Sequence, residues 1–299
     1  MKKFIFINFY KTNNIKRDAE YIYCIQKNLN LDFITNIFIF LDHKKDKKEL
    51  KHLKNIHKAI FVNTFNSKVN LKDIFECAKK NIANGSVIII INLDIYLQNS
   101  LYWRDIDKNF FNIGHDEKAL ICDRINIDEK NYSKYERYLQ KYSKKNGDFC
   151  DAWVFRTPLK KEFLKENLNF SLFGSTGGDS LLTGLMCKHY HVYNWGKKYK
   201  IYHKHSKNIL MGNNIKKNYY MNVIKKNTDI TPLLRLHQSA RIPTNQNFKY
   251  CLSKKIKPNF VMIKKNQNIF IIFRRIFYFT LIKYSKVLGS FTKHLLAKF

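Results

Sequence analysis

The sequence predicts an α/β protein, a mixed sheet flanked by helices, followed by a basic amphipathic helical tail. Three observations carry that expectation. Short apolar runs without a helical period alternate with amphipathic segments through the first two thirds of the chain, the rhythm of buried strands joined by helices. The run 86–91 (SVIIII) is the most hydrophobic β-branched stretch, and it leads directly into Asn92-Leu93-Asp94-Ile95-Tyr96, so a central strand delivers a carboxylate at its carboxyl end. After Asp229 no acidic residue occurs, yet fourteen Lys and Arg follow, from Arg235 to Lys298, which marks a composition boundary. Residues 1–229 are therefore read as the main domain and 230–299 as a basic extension.

The elements follow in order. Residues 4–10 form a short apolar run expected to be a buried strand; the lysines before it imitate a signal peptide, but Lys11 ends the run and no small-residue cleavage site follows. Residues 16–29 place Ala19, Ile22, Tyr23, Ile25, Gln26 and Leu29 near helical spacing, and 34–41 returns to a strand pattern. The Lys-rich stretch 43–54 reads as a solvated segment, 59–62 as a strand, and 71–82 as an amphipathic helix stopped by Gly85. Beyond the carboxylate, 119–122 and 152–155 read as further strands and 180–189 as a helix that begins after a Gly177-Gly178-Asp179 turn. In the extension, a helix over 269–299 puts Ile276, Phe277, Tyr284, Leu288, Phe291 and Leu295 on one face with Arg275, Lys283, Lys286 and Lys293 beside it, suited to lie on an anionic bilayer. Arg274, Arg275 and Lys283 leave fewer apolar residues than the ~20 a membrane span requires. Packing of that face on the protein's own domain is the alternative.

The bulk numbers narrow the function classes. Of 299 residues, 45% are hydrophobic and 15% aromatic, which excludes a disordered chain. Lys and Arg number 55 against 23 Asp and Glu, a formal charge of +32 that attracts nucleic acid, anionic lipid or phosphorylated small molecules. No recognition-helix, RNP-like or zinc-finger signature supports nucleic acid, although a non-catalytic glycan- or nucleic-acid-binding protein remains the alternative to an enzyme. The six cysteines are widely spaced with no CxxC pair, as expected of free thiols in a reducing compartment.

Several residues can carry chemistry. Asp94 lies where open α/β sheets bind ligands, beyond the carboxyl end of a strand, although Asp is also an ordinary turn residue. Asp179 follows a glycine pair, Gly177-Gly178, that lets backbone approach a ligand; it can cap the following helix or act as a general base. In Tyr202-His203-Lys204-His205-Ser206, His203 and His205 have period-two spacing, so on an extended segment both point the same way, toward a metal or a diphosphate. Arg17 and Arg124 are candidates for bidentate phosphate contacts, or ordinary surface charges. Tyr10, ending the first strand, is a further donor-side candidate.

The blocks 13–29 (NNIKRDAEYIYCIQKNL), 71–78 (LKDIFECA), 87–97 (VIIIINLDIYL), 151–155 (DAWVF), Gly177-Gly178-Asp179 and 202–206 (YHKHS) resemble, in order, a family of predicted bacterial glycosyltransferases of GT-A type, whose fold is a Rossmann-like mixed sheet. The similarity spans roughly residues 4–210. The resemblance implies transfer of a sugar from a nucleotide-sugar donor to a glycan or lipid-linked acceptor of the bacterial surface, such as capsule or lipooligosaccharide. It implies a cytoplasmic enzyme peripheral on the inner membrane. The 92–94 block is similar to the Asp-x-Asp metal motif, with Asn92 in place of the first aspartate and Leu93 where the family's serine lies. It implies that Asp94, with His203 or His205, holds a divalent cation (Mn2+ or Mg2+) or the nucleotide ribose. Asp179 matches the catalytic carboxylate position, while Asp151 and Trp153 match a sugar- or acceptor-facing block in which an indole can stack on a pyranose. A tryptophan buried in a strand is the alternative reading of Trp153.

Overall fold

The structure is a computed structural model and describes residues 1–64, 69–113, 117–127, 150–169 and 178–204. The basic extension, with the helix expected in it and the boundary expected at residue 230, lies outside the described residues, as do Gly177 and His205.

The α/β expectation is met. Strand β1 (Lys3–Phe9) is buried along its whole length and lies between β2 (Asn36–Leu41) and β4 (Val87–Ile91), both parallel to it; β3 (Ala59–Asn63) extends the parallel set beyond β2. Strand β7 (Cys150–Arg156) runs antiparallel to β4 and to β6 (Lys118–Asn126), so β6 points the same way as β4. The first half of β6 pairs in parallel with β8 (His191–Asn194), and its second half with β9 (Ile201–His203). The change of partner accompanies a register shift between Cys122 and Asp123, where a bulge bends the strand. A short β5 (Ile95–Leu97) closes the sheet against β9.

Both faces of the sheet are covered, which is why its central strands read as unbroken apolar runs rather than alternating ones. Ile5, Ile7 and Phe9 of β1 join the core beneath helix α1 (Ile15–Leu29), whereas Phe4 and Phe6 join the opposite core beneath α2 (Leu71–Asn81). The second core also holds the short helix α4 (Lys161–Leu164), counted after α3 (Leu101–Arg104), and the longer α5 (Gly178–His189). Within it Phe75, Phe155, Phe163 and Tyr190 meet at ring centroids 5.3–5.6 Å apart.

Local chemistry sets the helix ends. Asn14 caps α1 by accepting from the amides of Lys16 and Arg17, and Asn70 and Asp73 form a reciprocal capping box at α2. Gly85 does not end α2, which stops at Asn81; with φ at 82° it makes the turn into β4. The buried face of α1 is Tyr21, Cys24, Ile25 and Leu29, together with Glu20 and Asn28. The apolar pattern had instead nominated Ala19 and Tyr23, both exposed. The face is rotated because two buried polar side chains belong to it, and each has a partner. Glu20 pairs with Arg17, while the Asn28 carboxamide donates to the Ile95 carbonyl at 2.9 Å and accepts from the Leu97 amide at 3.0 Å, bonding β5 as a neighbouring strand would. The Lys-rich segment is also more structured than its charge suggests: a 3₁₀ turn, Lys44–Leu50, buries Asp46 and Leu50.

Candidate active site

Because β1, β4, β6 and β9 all point the same way and β7 points back, one edge of the sheet collects the residues that follow β1 and β4, the ends of β6 and β9, and the start of β7. Tyr10, Asn92, Asp94, Arg124, Asn126, Asp151 and His203 therefore share the carboxyl edge, the usual ligand position of an open α/β sheet. The N-terminal half of α1 brings Arg17, Glu20 and Tyr21 to the same edge.

Asp94 is the centre of one group. Its Oδ2 accepts from Arg17 Nη2 at 2.5 Å and lies 2.9 Å from His203 Nε2, and its backbone carbonyl accepts from the Lys204 amide at 3.0 Å. The other ring nitrogen of His203 lies 2.6 Å from Asn126 Oδ1. Arg17 is held on its remaining sides: Nη1 donates to Glu20 at 2.8 Å, Nε donates to the Tyr21 hydroxyl at 3.1 Å, and the guanidinium sits 4.7 Å above the Tyr21 ring. The Tyr10 and Tyr21 hydroxyls are 3.1 Å apart. Burial opposes ionisation of Asp94, but His203, Arg17 and Arg124 outweigh it and hold the carboxyl well below the usual carboxylate range. Burial, then the neighbouring Tyr21, pushes the Tyr10 phenol above its ordinary range, so it stays a neutral donor. Burial and the Asp94 charge push up the Cys24 thiol as well, which makes it an inert wall of the site.

Asp151 is the centre of a second group. Its Oδ1 accepts from the Asn92 carboxamide at 2.5 Å and its Oδ2 from Arg124 Nη1 at 3.0 Å. Arg124 also acts on Asp94 electrostatically, so its charge is felt by both carboxylates. With its side chain 22% exposed, against 13% for Arg17, Arg124 is the more open of these two arginines to an incoming anion.

The other expected residues divide. Asp179 lies in the first turn of α5; burial, then Asp123 and Asp179, push up the thiol of Cys150, which puts Asp179 within electrostatic range of the residue beside Asp151. Gly178 opens the same helix and is buried. Trp153 is corrected from its expected place on the acceptor side: its ring is 0% exposed in the core beneath α5, and its indole N–H donates to Thr183 Oγ1 at 3.2 Å. A ring enclosed on both faces offers none to a sugar. Glu20, Tyr21 and Asn126 were not nominated by the sequence. The first two follow Arg17 at helical i+3 and i+4 spacing, a legible signal, whereas Asn126 depends on its register opposite His203, which no local pattern shows.

The Asp94 carboxylate is a donor suited to Mn2+ or Mg2+, whereas the His203 imidazole suits a transition metal and not Mg2+. Among the described residues no group of three or more His, Cys, Asp or Glu side chains gathers around a possible metal position, so further ligands would come from a bound diphosphate, water or His205.

No protein-family model and no curated protein sequence matches the chain. Among solved structures it is similar to S. aureus TarS 1–349, at 13% identity and a TM-score of 0.45, covering 68% of this chain and 60% of that one. It is similar to the same TarS piece in complex with UDP-GlcNAc, at 12% identity and a TM-score of 0.43, over 79% of this chain and 70% of that one. It is also similar to the mannosyltransferase PcManGT from Pyrobaculum calidifontis, in complex with GDP-Man and Mn2+, at 11% identity and a TM-score of 0.47, over 76% of this chain and 64% of that one. The chain thus spans 60% of the length of the first of these structures. No residue role follows from likeness at this level.

Proposed function

We propose that the carboxyl-edge site binds a nucleotide-sugar donor and that the protein is a glycosyltransferase. The observation that carries this reading is the interlock of Arg17, Arg124 and His203 with Asp94 and Asp151 at the ligand-binding edge of the sheet. Such an interlock concentrates fixed charge of both signs where a diphosphate and a sugar would meet.

In this reading Arg124 pairs with the donor diphosphate and stabilises the charge that develops on it as the bond to the anomeric carbon breaks. Asp151, held between Asn92 and Arg124, accepts hydrogen bonds from sugar hydroxyls, a task for an ionised carboxylate with fixed geometry. Asp179 takes the proton of the acceptor hydroxyl as its oxygen attacks. Tyr10 donates toward the nucleotide from the end of β1. Asp94 and His203 would hold a divalent cation, which when bound neutralises the leaving diphosphate.

The acceptor we infer is a surface glycan such as capsule or lipooligosaccharide, carried on a lipid. The +32 charge of the chain supports placement at the inner face of an anionic membrane, and no helix among the described residues is long and apolar enough to cross one. The test is single-turnover assay of radiolabelled UDP- and GDP-sugars with wild type and Asp179→Asn. Transfer or slow donor hydrolysis in wild type, lost in Asp179→Asn while nucleotide still binds, supports the assignment; an undiminished rate in that variant removes Asp179 from the chemistry.

A further inference from the structure

The metal-type donors at this site, Asp94 and His203, face each other across one oxygen. His203 Nε2 lies 2.9 Å from Asp94 Oδ2, and the same oxygen accepts from Arg17 Nη2 at 2.5 Å. A transition-metal cation that bridges Asp94 Oδ2 and His203 Nε2 where they stand would meet that oxygen at the ~2.0–2.2 Å expected of such ligation. Arg17 is already there, in a seat built for it: Glu20 at 2.8 Å, the Tyr21 hydroxyl at 3.1 Å and the Tyr21 ring face at 4.7 Å hold the rest of the guanidinium. An sp² carboxylate oxygen has two lone pairs in its plane, and here His203 and Arg17 face it together. At this oxygen a dication competes with the guanidinium, because two cations on one buried oxygen repel in a medium that screens poorly.

We propose that Arg17 is the resident counter-cation of Asp94, and that a divalent metal and Arg17 are alternative occupants of the same carboxylate oxygen. Arg17 keeps Asp94 ionised and ordered when no metal is present. Metal enters only when something compensates the displaced guanidinium, and a bound diphosphate is the group able to do so, since its oxygens bind both metal and arginine. Arg17 thereby makes metal binding conditional on donor binding. The exchange at Asp94 stands on the geometry alone; the role of the diphosphate rests on the nucleotide-sugar reading.

The experiment is Mn2+ titration followed by electron paramagnetic resonance of the free ion, on the full chain without nucleotide. Wild type, Arg17→Gln, Arg17→Lys and the double variant Arg17→Gln/Asp94→Asn are compared, each checked by thermal melting. The proposal expects Arg17→Gln to bind Mn2+ about tenfold or more tightly than wild type, as removal of a competing cation from a buried carboxylate requires. It expects the gain to vanish in the double variant. Equal affinity in wild type and Arg17→Gln, or a gain that survives loss of Asp94, overturns it. If Arg17→Gln does not fold, Arg17→Lys, which keeps the charge but loses the three-sided seating of the guanidinium, should bind Mn2+ more tightly than wild type by a smaller factor, and no gain there overturns the proposal. In a second arm, wild type is titrated with UDP, GDP, CDP and CMP by calorimetry, with Mn2+ and with EDTA. Failure of all four nucleotides to bind, alongside a gain in Arg17→Gln, ends the donor reading and leaves the exchange at Asp94 standing.

Discussion

Asp94 and Asp151 sit on the same sheet edge and are set up differently. Asp94 shares one oxygen between a guanidinium and an imidazole and is enclosed by α1, whereas Asp151 divides its oxygens between a neutral carboxamide and the more exposed Arg124. The difference assigns them separate work. A carboxylate paired with a buried guanidinium is part of the framework as much as of the chemistry, because removing it strands that charge. One satisfied by an amide and a half-open arginine can exchange partners for a ligand at low cost.

The comparison breaks most plainly under matched substitutions. Asp94→Asn leaves Arg17 with Glu20 as its acidic partner, and we expect a loss of about 3–5 kcal/mol in urea denaturation. Asp151→Asn loses one charge-assisted hydrogen bond to a partly solvated arginine, and we expect about 1.5–3 kcal/mol. Equal losses would mean that the two carboxylates are not differently embedded.

A carboxamide away from the charges sharpens the point. Asn28→Ala removes the two bonds that hold β5, and should cost about 1–3 kcal/mol while nucleotide affinity measured by calorimetry stays within about twofold. A large drop in affinity would instead couple β5 to the ligand. Arg124→Gln should lower nucleotide affinity by about tenfold or more, at a stability cost similar to that of Asp151→Asn, about 1.5–3 kcal/mol, since it loses the same bond.

The smallest effect is at the far side of the molecule, where Glu166 meets Lys188 at 3.1 Å and His189 at 2.8 Å. Burial opposes the charge of Glu166, but His189 and Lys188 prevail and lower its pKa below the ordinary glutamate value. A depressed carboxyl pKa stabilises the fold above the unfolded value of about 4.3, and that contribution disappears as pH falls through the folded value. Solvent screening keeps it below about 1 kcal/mol. Melting temperatures of wild type and Glu166→Gln should therefore differ slightly at pH 7 and converge below pH ~4, and a gap that widens in acid would reverse the sign.

How much of this was legible in the sequence depends on whether a feature is made by neighbours along the chain. β1, β2 and β4 are visible because strands buried on both faces must be apolar throughout, and Asp94 is visible because it ends the strongest of those runs. β5 and β9 were not, since three residues have no period and their places are set by Asn28 and by the register of β6. Arg17 and Asp94 were each nominated for ligand contact, but their pairing joins residues 77 apart and required the fold. Trp153 shows the opposite error: its residue type suggests a stacking platform, while its place in the middle of β7 puts it in the core.

The most direct measurement is the thermal shift of wild type and Arg124→Gln against UDP, GDP, CDP and CMP, since a ligand that binds only the folded state raises the melting temperature. The account predicts that one nucleotide stabilises wild type and that the shift is lost in Arg124→Gln, which still melts cooperatively. No shift with any nucleotide, or one that persists without Arg124, would contradict a donor site at this edge of the sheet.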